Sequence, residues 1–410
     1  KTSGSADVTQ NTAEISGGSI TGSVYGGQNV GTGNADQNNV KLSGGSIAGS
    51  IYGGYAAGSG SAKDNSITIT GGSIGHDIYG GYAAGGKTTG NTVNIGDGSH
   101  ALSAGTSIAG TIYGGNQADV KDNTLNVKTN ATAGNIAGFA KIKFELNGSL
   151  NSAQPMLRLT NGAATTGLDW AGVEAAPMPS HVTVKTYEPY QLTLMHNNAG
   201  LNFVQGGKDT YAPIGAKERI QGNLEFVIDT DSHAAQARSV YLSGYQFQNN
   251  TGAAYTAADG THSAAWGGRT AVGNTVTNNK LTVSGGSLTD AAYGGLVENH
   301  KRNASGPLPT GDAVKNTVIL SSGANAAAVY GADVRTRAGS ASENRAEMSG
   351  GTVTGNVYGA ALSADNASGS ATQNIAKVSG GSIGGNVYGA SVSKTSGSAD
   401  VTQNTAEISG

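Results

Sequence analysis

The sequence contains no cysteine and few charged residues, and each shortage excludes a class of protein. Without cysteine the chain can form neither a disulfide framework nor a thiolate metal site, and it has no cysteine nucleophile. Charged residues make up 12% of the 410 residues and the net charge at pH 7 is −3, so the basic patch that nucleic-acid binding requires is missing. No apolar run reaches the ~18 residues of a membrane-spanning helix. We therefore predict no nucleic-acid partner and no membrane contact within this segment.

Glycine, by contrast, supplies 67 residues, more than twice its average usage of about 7%. Much of it falls in one recurring phrase, which first occurs at residues 16–27 (SGGSITGSVYGG) and returns at 43–54 and, with changes, at 70–81. The regular copies are 27 residues apart. A period of this length indicates stacked structural units.

Each copy of the phrase has an aromatic residue two places before its end, and these residues define an aromatic column if the units stack. Its members are Tyr25, Tyr52, Tyr79, Tyr113, Tyr293, Tyr330, Tyr358 and Tyr388, with Trp266 in the same place once. Because successive strand residues face opposite sides, an inward Val24 predicts an outward Tyr25 that could receive a sugar or a neighbouring fibre. The competing interpretation is a structural stack at a corner of the fold, and we favour it.

Within each unit the chain alternates between strand and corner patterns. In residues 38–43 (NNVKLS) apolar and polar residues alternate as in a half-buried strand, and Gly44 and Gly45 then turn the chain. Stacked coils of this kind satisfy their backbone groups through the coils above and below. The sequence therefore predicts an all-β fold, a parallel and right-handed β-helix or solenoid with irregular central coils.

One strand position carries an asparagine in copy after copy. These residues are Asn11, Asn38, Asn65, Asn91, Asn123, Asn279, Asn316, Asn344, Asn374 and Asn404. Asn38 shares its strand face with Val40 and Leu42, so the amide should point inward, where it needs hydrogen-bond partners. We predict that stacked coils supply those partners as a structural ladder of amides.

The phrase is largely lost in the middle of the chain. We predict regular coils over 1–134, irregular coils or an inserted β module over 135–238, and regular coils again over 239–410. Strand-like alternation continues in this central part at 140–146, 181–184 and 191–194.

The sequence also has a second, longer period, which is indicated by the identity of residues 394–410 with residues 1–17. Neighbouring coils resemble one another but are nowhere identical over such a length. We therefore expect tandem units of about 393 residues, joined covalently or end to end, with neither end of this sequence a natural one. About 14 coils at roughly 4.8 Å each would extend such a fibre by about 65 to 70 Å per unit.

The central part also resembles a known family. Residues 135–146 (NIAGFAKIKFEL), 156–160 (MLRLT) and 168–173 (LDWAGV) resemble the passenger domains of Gram-negative autotransporters, and the glycine-rich coils are similar to repeats in the same proteins. The resemblance implies a right-handed β-helix exported to the cell surface, and hence an extracellular location.

The remaining chemical patterns are weak. Asp229, Asp231 and His233 alternate and could share a strand face as cation ligands, but a solvated strand edge explains them better. Two matches to G-x-S-x-G, at 71–75 and 380–384, fall at corners of the repeat instead of at a strand-to-helix elbow. Asp169 and Glu174 could in principle pair for acid/base work on a glycan, but their spacing in the sequence does not give the distance between their carboxyl groups.

We therefore predict no catalytic site, no bound metal and no cofactor. The leading functional hypothesis is a structural segment of a long extracellular fibre whose partner is itself. The alternative is a glycan- or host-binding adhesin that uses the tyrosine column or the central loops.

Overall fold

A computed structural model describes residues 4–147, 150–177, 182–204, 217–231, 236–299, 310–365, 367–393 and 398–409. The fold is an all-β solenoid of parallel sheets with about 13 turns, which confirms the predicted fold class. The chain divides into two compact units. Unit 1 comprises Lys1–Ser180, Leu192–Ile214 and Ile228–Leu242, and unit 2 comprises His181–Gln191, Gly215–Val227 and Ser243–Gly410.

The strands of unit 1 pair with the strands one coil later along the chain. They are β1 (Thr12–Ile20), β2 (Val24–Asn29), β3 (Asn39–Ile47), β4 (Ile51–Ala56), β5 (Ser66–Ile69), β6 (Ser73–Ile74), β7 (Ile78–Ala83), β8 (Thr92–Ile95), β9 (Ser107–Gly115), β10 (Thr124–Val127), β11 (Ala131–Ala137), β12 (Lys141–Glu145), β13 (Leu157–Leu159), β14 (Thr165–Asp169) and β15 (Val173–Ala176). A 3-10 turn, Trp170–Gly172, precedes β15. Three further strands contribute residues to both units: β16 (Tyr190–Val204), β18 (Leu224–Thr230) and β19 (Gln236–Gln246).

The strands of unit 2 follow the same pattern. They are β17 (Lys217–Gln221), β20 (Ala253–Tyr255), β21 (Thr261–Thr270), β22 (Val276–Thr277), β23 (Lys280–Val283), β24 (Gly286–Val297), β25 (Ala313–Val314), β26 (Thr317–Leu320), β27 (Ala324–Val334), β28 (Ala341–Ser342), β29 (Arg345–Val353), β30 (Val357–Leu362), β31 (Ala371–Thr372), β32 (Ile375–Ile383), β33 (Val387–Val392), β34 (Val401–Thr402) and β35 (Thr405–Ile408). A 3-10 turn, Ala257–Asp259, lies between β20 and β21.

The strand register puts equivalent residues of successive coils directly over one another. In unit 1, Val40 pairs with Ile67, Ile67 with Val93, Val93 with Leu125, and Leu125 with Ile142, all in parallel strands. These five side chains are at most 2% exposed. The interior of the solenoid is therefore a file of aliphatic side chains, one layer from each coil.

A left-handed residue turns the chain immediately before each asparagine of the predicted ladder. Its φ lies between +54° and +60° in nine coils, at Gln10, Gln37, Asp64, Asp122, Asn278, Lys315, Glu343, Gln373 and Gln403. Gly90, with φ +72°, has this place once. The corner swings the following residue inward, and this explains why a polar side chain can lie on the apolar side of the strand.

One strand expected in the central part does not form. Residues 182–184 are not in a strand, and residue 181 lies outside the described residues. The chain turns there instead, and Lys185 and Glu188 form an antiparallel bridge and an ion pair of 3.1 Å. The expected strands at 140–146 and 191–194 are present as β12 and as part of β16.

Candidate functional site: the asparagine ladder and the aromatic column

The amides of unit 1 form one continuous chain of hydrogen bonds. Each Nδ2 donates to Oδ1 of the asparagine one coil later, at 2.9 Å (Asn11 to Asn38), 3.3 Å (Asn38 to Asn65), 3.0 Å (Asn65 to Asn91) and 3.3 Å (Asn91 to Asn123). The same Oδ1 also accepts the backbone N–H of the earlier asparagine, at 2.9 to 3.0 Å. Both lone pairs of each shared oxygen are therefore engaged.

The second amide hydrogen also has a partner. Asn38 Nδ2 donates to the carbonyl oxygen of Val8 at 2.9 Å, and Asn91 Nδ2 donates to that of Ala62 at 3.1 Å. A buried amide in this position is fully satisfied, so it stabilises the coil instead of carrying an unpaired polar group. In unit 1 the ladder ends at Asn123, whose Nδ2 turns to the carbonyl oxygens of Thr88 and Gly138.

Unit 2 repeats the arrangement with the same polarity. Nδ2 donates to Oδ1 at 2.9 Å (Asn279 to Asn316), 3.0 Å (Asn316 to Asn344), 2.9 Å (Asn344 to Asn374) and 2.9 Å (Asn374 to Asn404). The structure adds one member that the sequence pattern did not identify, since the backbone N–H of Asn250 donates to Asn279 Oδ1 at 3.0 Å. Asn250 follows Phe247, Gln248 and Asn249 and lacks the alternating apolar residues that mark the other members.

The two residues that follow each aromatic residue, a glycine and then a glycine or an alanine, make room for the ladder. A Cβ on Gly294 would lie 2.5 Å from the carbonyl oxygen of Gly331 in the next coil, so a side chain there collides with backbone. A Cβ on the second glycine, Gly295, would lie 2.7 Å from Cγ of the ladder residue Asn316. The second place accepts alanine elsewhere, because Ala332 is in register with Gly295. The first glycine is therefore required by the close approach of successive coils.

In unit 1 the tyrosines stack face to face along the solenoid. The ring centroids are 5.0 Å apart for Tyr25 and Tyr52, 5.1 Å for Tyr52 and Tyr79, and 4.7 Å for Tyr79 and Tyr113, with interplanar angles of 4° to 6°. The rings are half-buried. The structure thus brings the four predicted residues into one file, in which each ring stacks on the next.

A second, shorter tyrosine stack flanks the first in unit 1. Tyr55 and Tyr82 stack at 5.0 Å, and each meets the rings of the first file edge-on, as in the contact of Tyr55 with Tyr52 at 5.1 Å and 81°. The sequence pattern missed this pair because Gln28, in register with Tyr55, is not aromatic.

Unit 2 has a tyrosine column of its own, with different neighbouring side chains. The centroids are 5.2 Å apart for Tyr293 and Tyr330, 4.7 Å for Tyr330 and Tyr358, and 5.1 Å for Tyr358 and Tyr388. Trp266 is in register with Tyr293, as the sequence suggested.

Charged side chains flank the unit 2 column. Arg335 donates to Asp333 at 2.9 Å, to Glu298 at 2.9 Å and to the hydroxyl of Tyr293 at 2.8 Å. Arg269 bonds the same Glu298 at 2.8 Å, and its guanidinium carbon lies 4.7 Å from the centroid of the Trp266 ring. Each charged side chain in this cluster forms an ion pair with one of the opposite sign. The cluster therefore stabilises the local structure beside the column.

Burial raises the pKa of several of the stacked tyrosines. It raises the pKa of Tyr52 and Tyr55, and for Tyr79 the neighbouring Asp77 carboxylate adds to the rise. In unit 2 burial raises the pKa of Tyr293 and Tyr330. These five phenols therefore stay neutral to higher pH than a tyrosine in an unfolded chain.

The weaker candidate site residues from the sequence do not come together in one site. Asp231 Oδ1 accepts the backbone N–H of Arg238 at 3.0 Å, Asp229 is buried, and His233 lies outside the described residues. Ser73 is in register with Ser46 and Ser107 in a polar file, and Glu174 is in register with Lys143. Asp169 Oδ1 accepts the backbone N–H of Ala171.

In the ranges that the structure describes, no three acidic or histidine side chains are grouped so as to hold a metal ion. No helix among the described residues is long and apolar enough to cross a membrane. Comparison of the chain with protein-family models, with curated proteins and with solved structures finds no match.

Proposed function

We propose that this chain is a structural, non-catalytic segment of a long extracellular fibre of the autotransporter passenger type, built from tandem units of about 393 residues. One observation carries the proposal. The same sequence, residues 5–16 and residues 398–409, forms a coil in unit 1 and a coil in unit 2, and the two coils have complementary sets of contacts.

The ladder shows this complementarity most clearly. Asn404 Oδ1 accepts both the backbone N–H and the side-chain Nδ2 of Asn374, at 2.9 Å each. Its counterpart Asn11 instead donates its backbone N–H and its Nδ2 to Asn38 Oδ1, at 3.0 and 2.9 Å. One asparagine that did both would join the ladder of unit 2 in one copy to the ladder of unit 1 in the next.

Local geometry supports the same superposition. The preceding corner residues, Gln10 and Gln403, have φ of 60° and 57°. Asn11 Nδ2 also donates to the carbonyl oxygen of Thr9 at 3.1 Å, and Asn404 Nδ2 donates to that of Thr402 at 3.0 Å. The corner before the asparagine therefore has the same geometry in both places.

The charges agree with a shared coil. Glu407 forms an ion pair of 3.0 Å with Lys377 in the preceding coil. The equivalent Glu14 is in register with Lys41 in the following coil. In a tandem chain a single glutamate would lie between two lysines, whereas two such coils stacked on each other would place glutamate over glutamate. Charge complementarity thus favours one shared coil over simple end-to-end stacking.

The packing of the tyrosines favours a structural role for the column over a sugar-binding one. A sugar that binds an aromatic ring lies on its face, and the faces of Tyr52 and Tyr79 are already covered by neighbouring rings at 4.7 to 5.1 Å. Stacked pairs of this kind each stabilise by about 0.5 to 1.5 kcal/mol beyond area burial.

A polypeptide in which residues 1–393 are followed directly by residues 1–410 tests the proposal. Electron cryo-microscopy should show one uninterrupted stack of coils through the junction, with the shared coil seated between the coils of Lys377 in the first copy and Lys41 in the second. A junction that bends freely, or a coil that contacts only one side, would contradict it.

The extracellular location has its own test. An antibody raised against the chain should label intact cells that produce the full-length protein as strongly as permeabilised ones. Labelling that requires permeabilisation would remove the surface-fibre part of the proposal and leave the tandem stack.

A further inference from the structure

A small polar groove lies on the outside of unit 1, away from the ladder and the column. It has a volume of about 210 Å³, smaller than the roughly 300 to 1,000 Å³ of pockets for drug-sized ligands. Four residues between positions 102 and 106 form one wall, residues 154–155 form another, and the exposed side chains of Thr132 and Arg158 also line the groove.

Hydrogen bonds hold both walls in place. Asn130 Nδ2 donates to the carbonyl oxygens of Asn151, Gln154 and Pro155 at 3.1 to 3.2 Å, and Asn130 Oδ1 accepts the backbone N–H of Asn151 at 2.7 Å. On the other side, Thr106 Oγ1 donates to the carbonyl oxygen of Ser103 at 2.5 Å. A groove built in this way is preformed, so a ligand loses little free energy in ordering it.

Arg158 is the one charged side chain among the described residues that line the groove. It is exposed, it is in register with Thr132 on one side and His196 on the other, and no described residue forms an ion pair or a side-chain hydrogen bond with it. The nitrogens of the His196 ring are held by Ser239 Oγ and Asn198 Oδ1, at 2.8 Å each. The guanidinium therefore keeps its full set of donors for a ligand.

From this arrangement we propose that the groove binds a single acidic sugar residue, a hexuronic acid within a glycan. The planar guanidinium of Arg158 matches a carboxylate, which it can bind through two parallel hydrogen bonds. Side chains that exchange hydrogen bonds with sugar hydroxyls surround it: Ser103, Thr106, Thr132 and Gln154. Leu102 and Pro155 supply the apolar contacts that the C–H groups of a sugar ring need. This site is independent of the fibre proposal, which rests on other residues.

Saturation-transfer NMR and titration of the full chain with D-glucuronic acid, glucose and acetate test the site. We expect glucuronic acid to bind more tightly than either of the others, because only it offers both the carboxylate and the ring hydroxyls. Equal binding of acetate would overturn the sugar assignment, and equal binding of glucose would overturn the role of the charge. Failure of all three to bind would overturn the site.

The variant Arg158→Gln isolates the guanidinium, with Arg238→Gln as the matched control, an exposed arginine on β19 elsewhere in unit 1. Arg158→Gln should weaken glucuronic acid binding at least about tenfold with an unchanged circular dichroism spectrum, and Arg238→Gln should leave the binding unchanged. Retained binding in Arg158→Gln, or an equal loss in the control, would refute the proposal. Because the ladder is untouched, neither outcome bears on the fibre.

Discussion

Unit 1 and unit 2 contain the same asparagine ladder and the same file of stacked tyrosines, but they surround the tyrosines with different chemistry. In unit 1 the flank is a second pair of tyrosines, Tyr55 and Tyr82, and in unit 2 it is a network of Arg269, Glu298 and Arg335. The residues that contact the next coil, the asparagines and the column tyrosines, are thus the same in both units, and the side chains that flank them differ. The ladder and the first glycine of each pair are the features that the stacking itself requires.

Breaking the ladder should have the largest effect, and an equal effect in the two units. Asn65→Ala removes the acceptor of the Asn38 backbone N–H and leaves Asn91 Oδ1 short of one donor. Buried unsatisfied groups cost roughly 1 to 3 kcal/mol each, so we expect a loss of about 3 kcal/mol in the free energy of unfolding. Asn344→Ala should cause the same loss, measured by urea unfolding of each variant. A loss in one unit only would show that the two ladders are not equivalent.

The two glycines of a pair should differ sharply. Gly294→Ala drives a Cβ into the Gly331 carbonyl and should lower the free energy of unfolding by about 2 to 3 kcal/mol. Gly295→Ala should cost less, about 1 kcal/mol, because its Cβ meets the Asn316 side chain and not backbone, and because Ala332 already has the same register position one coil later. Thermal unfolding of the two variants checks this order. Equal losses of stability in the two variants would mean that the clash with backbone is not the reason why the first position requires glycine.

The two flanks should respond differently to salt. Arg335→Met leaves the Asp333 carboxylate, only 3% exposed, without its ion pair, and we expect a loss of about 2 kcal/mol, reduced from the buried-pair range because the Arg335 side chain is 39% exposed. Added salt should change the stability difference between Arg335→Met and the parent chain.

Tyr82→Leu serves as the counterpart in unit 1. It removes the edge contacts with Tyr52 and Tyr79 and the stack on Tyr55, and it should cost about 1 kcal/mol, independent of salt. A salt-dependent loss for this variant would erase the distinction between the flanks. The measurement is urea unfolding at low and at high ionic strength.

Alkaline pH should produce the smallest effect, in both units. Burial raises the pKa of Tyr79 and Tyr330 above the ordinary value of 10.0. The folded chain therefore holds these phenols neutral, and the stability they contribute is complete below pH 10.0 and falls as the pH rises through that value. Tyr79→Phe and Tyr330→Phe should each reduce this alkaline loss. Parallel titrations of tyrosinate absorbance and circular dichroism measure it, and an unchanged alkaline loss in both variants would contradict the account.

The repeat period of the sequence predicted the fold because stacked coils place residues that are one period apart in the chain next to each other in space. Tyr25, Tyr52 and Tyr79 are one phrase apart, and the register places them in one file. The inward asparagines followed from their alternation with Val40 and Leu42. These features depend on local spacing, which a sequence displays directly.

Other features depend on contacts that no spacing reveals. The member of the ladder at Asn250 lacks the surrounding phrase, and the stack of Tyr55 on Tyr82 arises in two coils only. The alternation at 181–184 predicted a strand, yet residues 185–188 form a turn, and the Thr186 carbonyl accepts the backbone N–H of Trp266. The polar groove at Arg158 was missed because residues 102–106 and 154–155 come together only through two different coils.

The most direct test of coil sharing between copies is hydrogen exchange at the backbone N–H of Asn404. Within the described part of the single chain this group has no acceptor, whereas the same group of Asn11 donates to Asn38 Oδ1 at 3.0 Å. In the two-copy polypeptide the N–H of the shared asparagine should therefore exchange as slowly as that of Asn374, and in the single chain it should exchange rapidly. Rapid exchange in both molecules would contradict the continuous ladder on which the fibre depends.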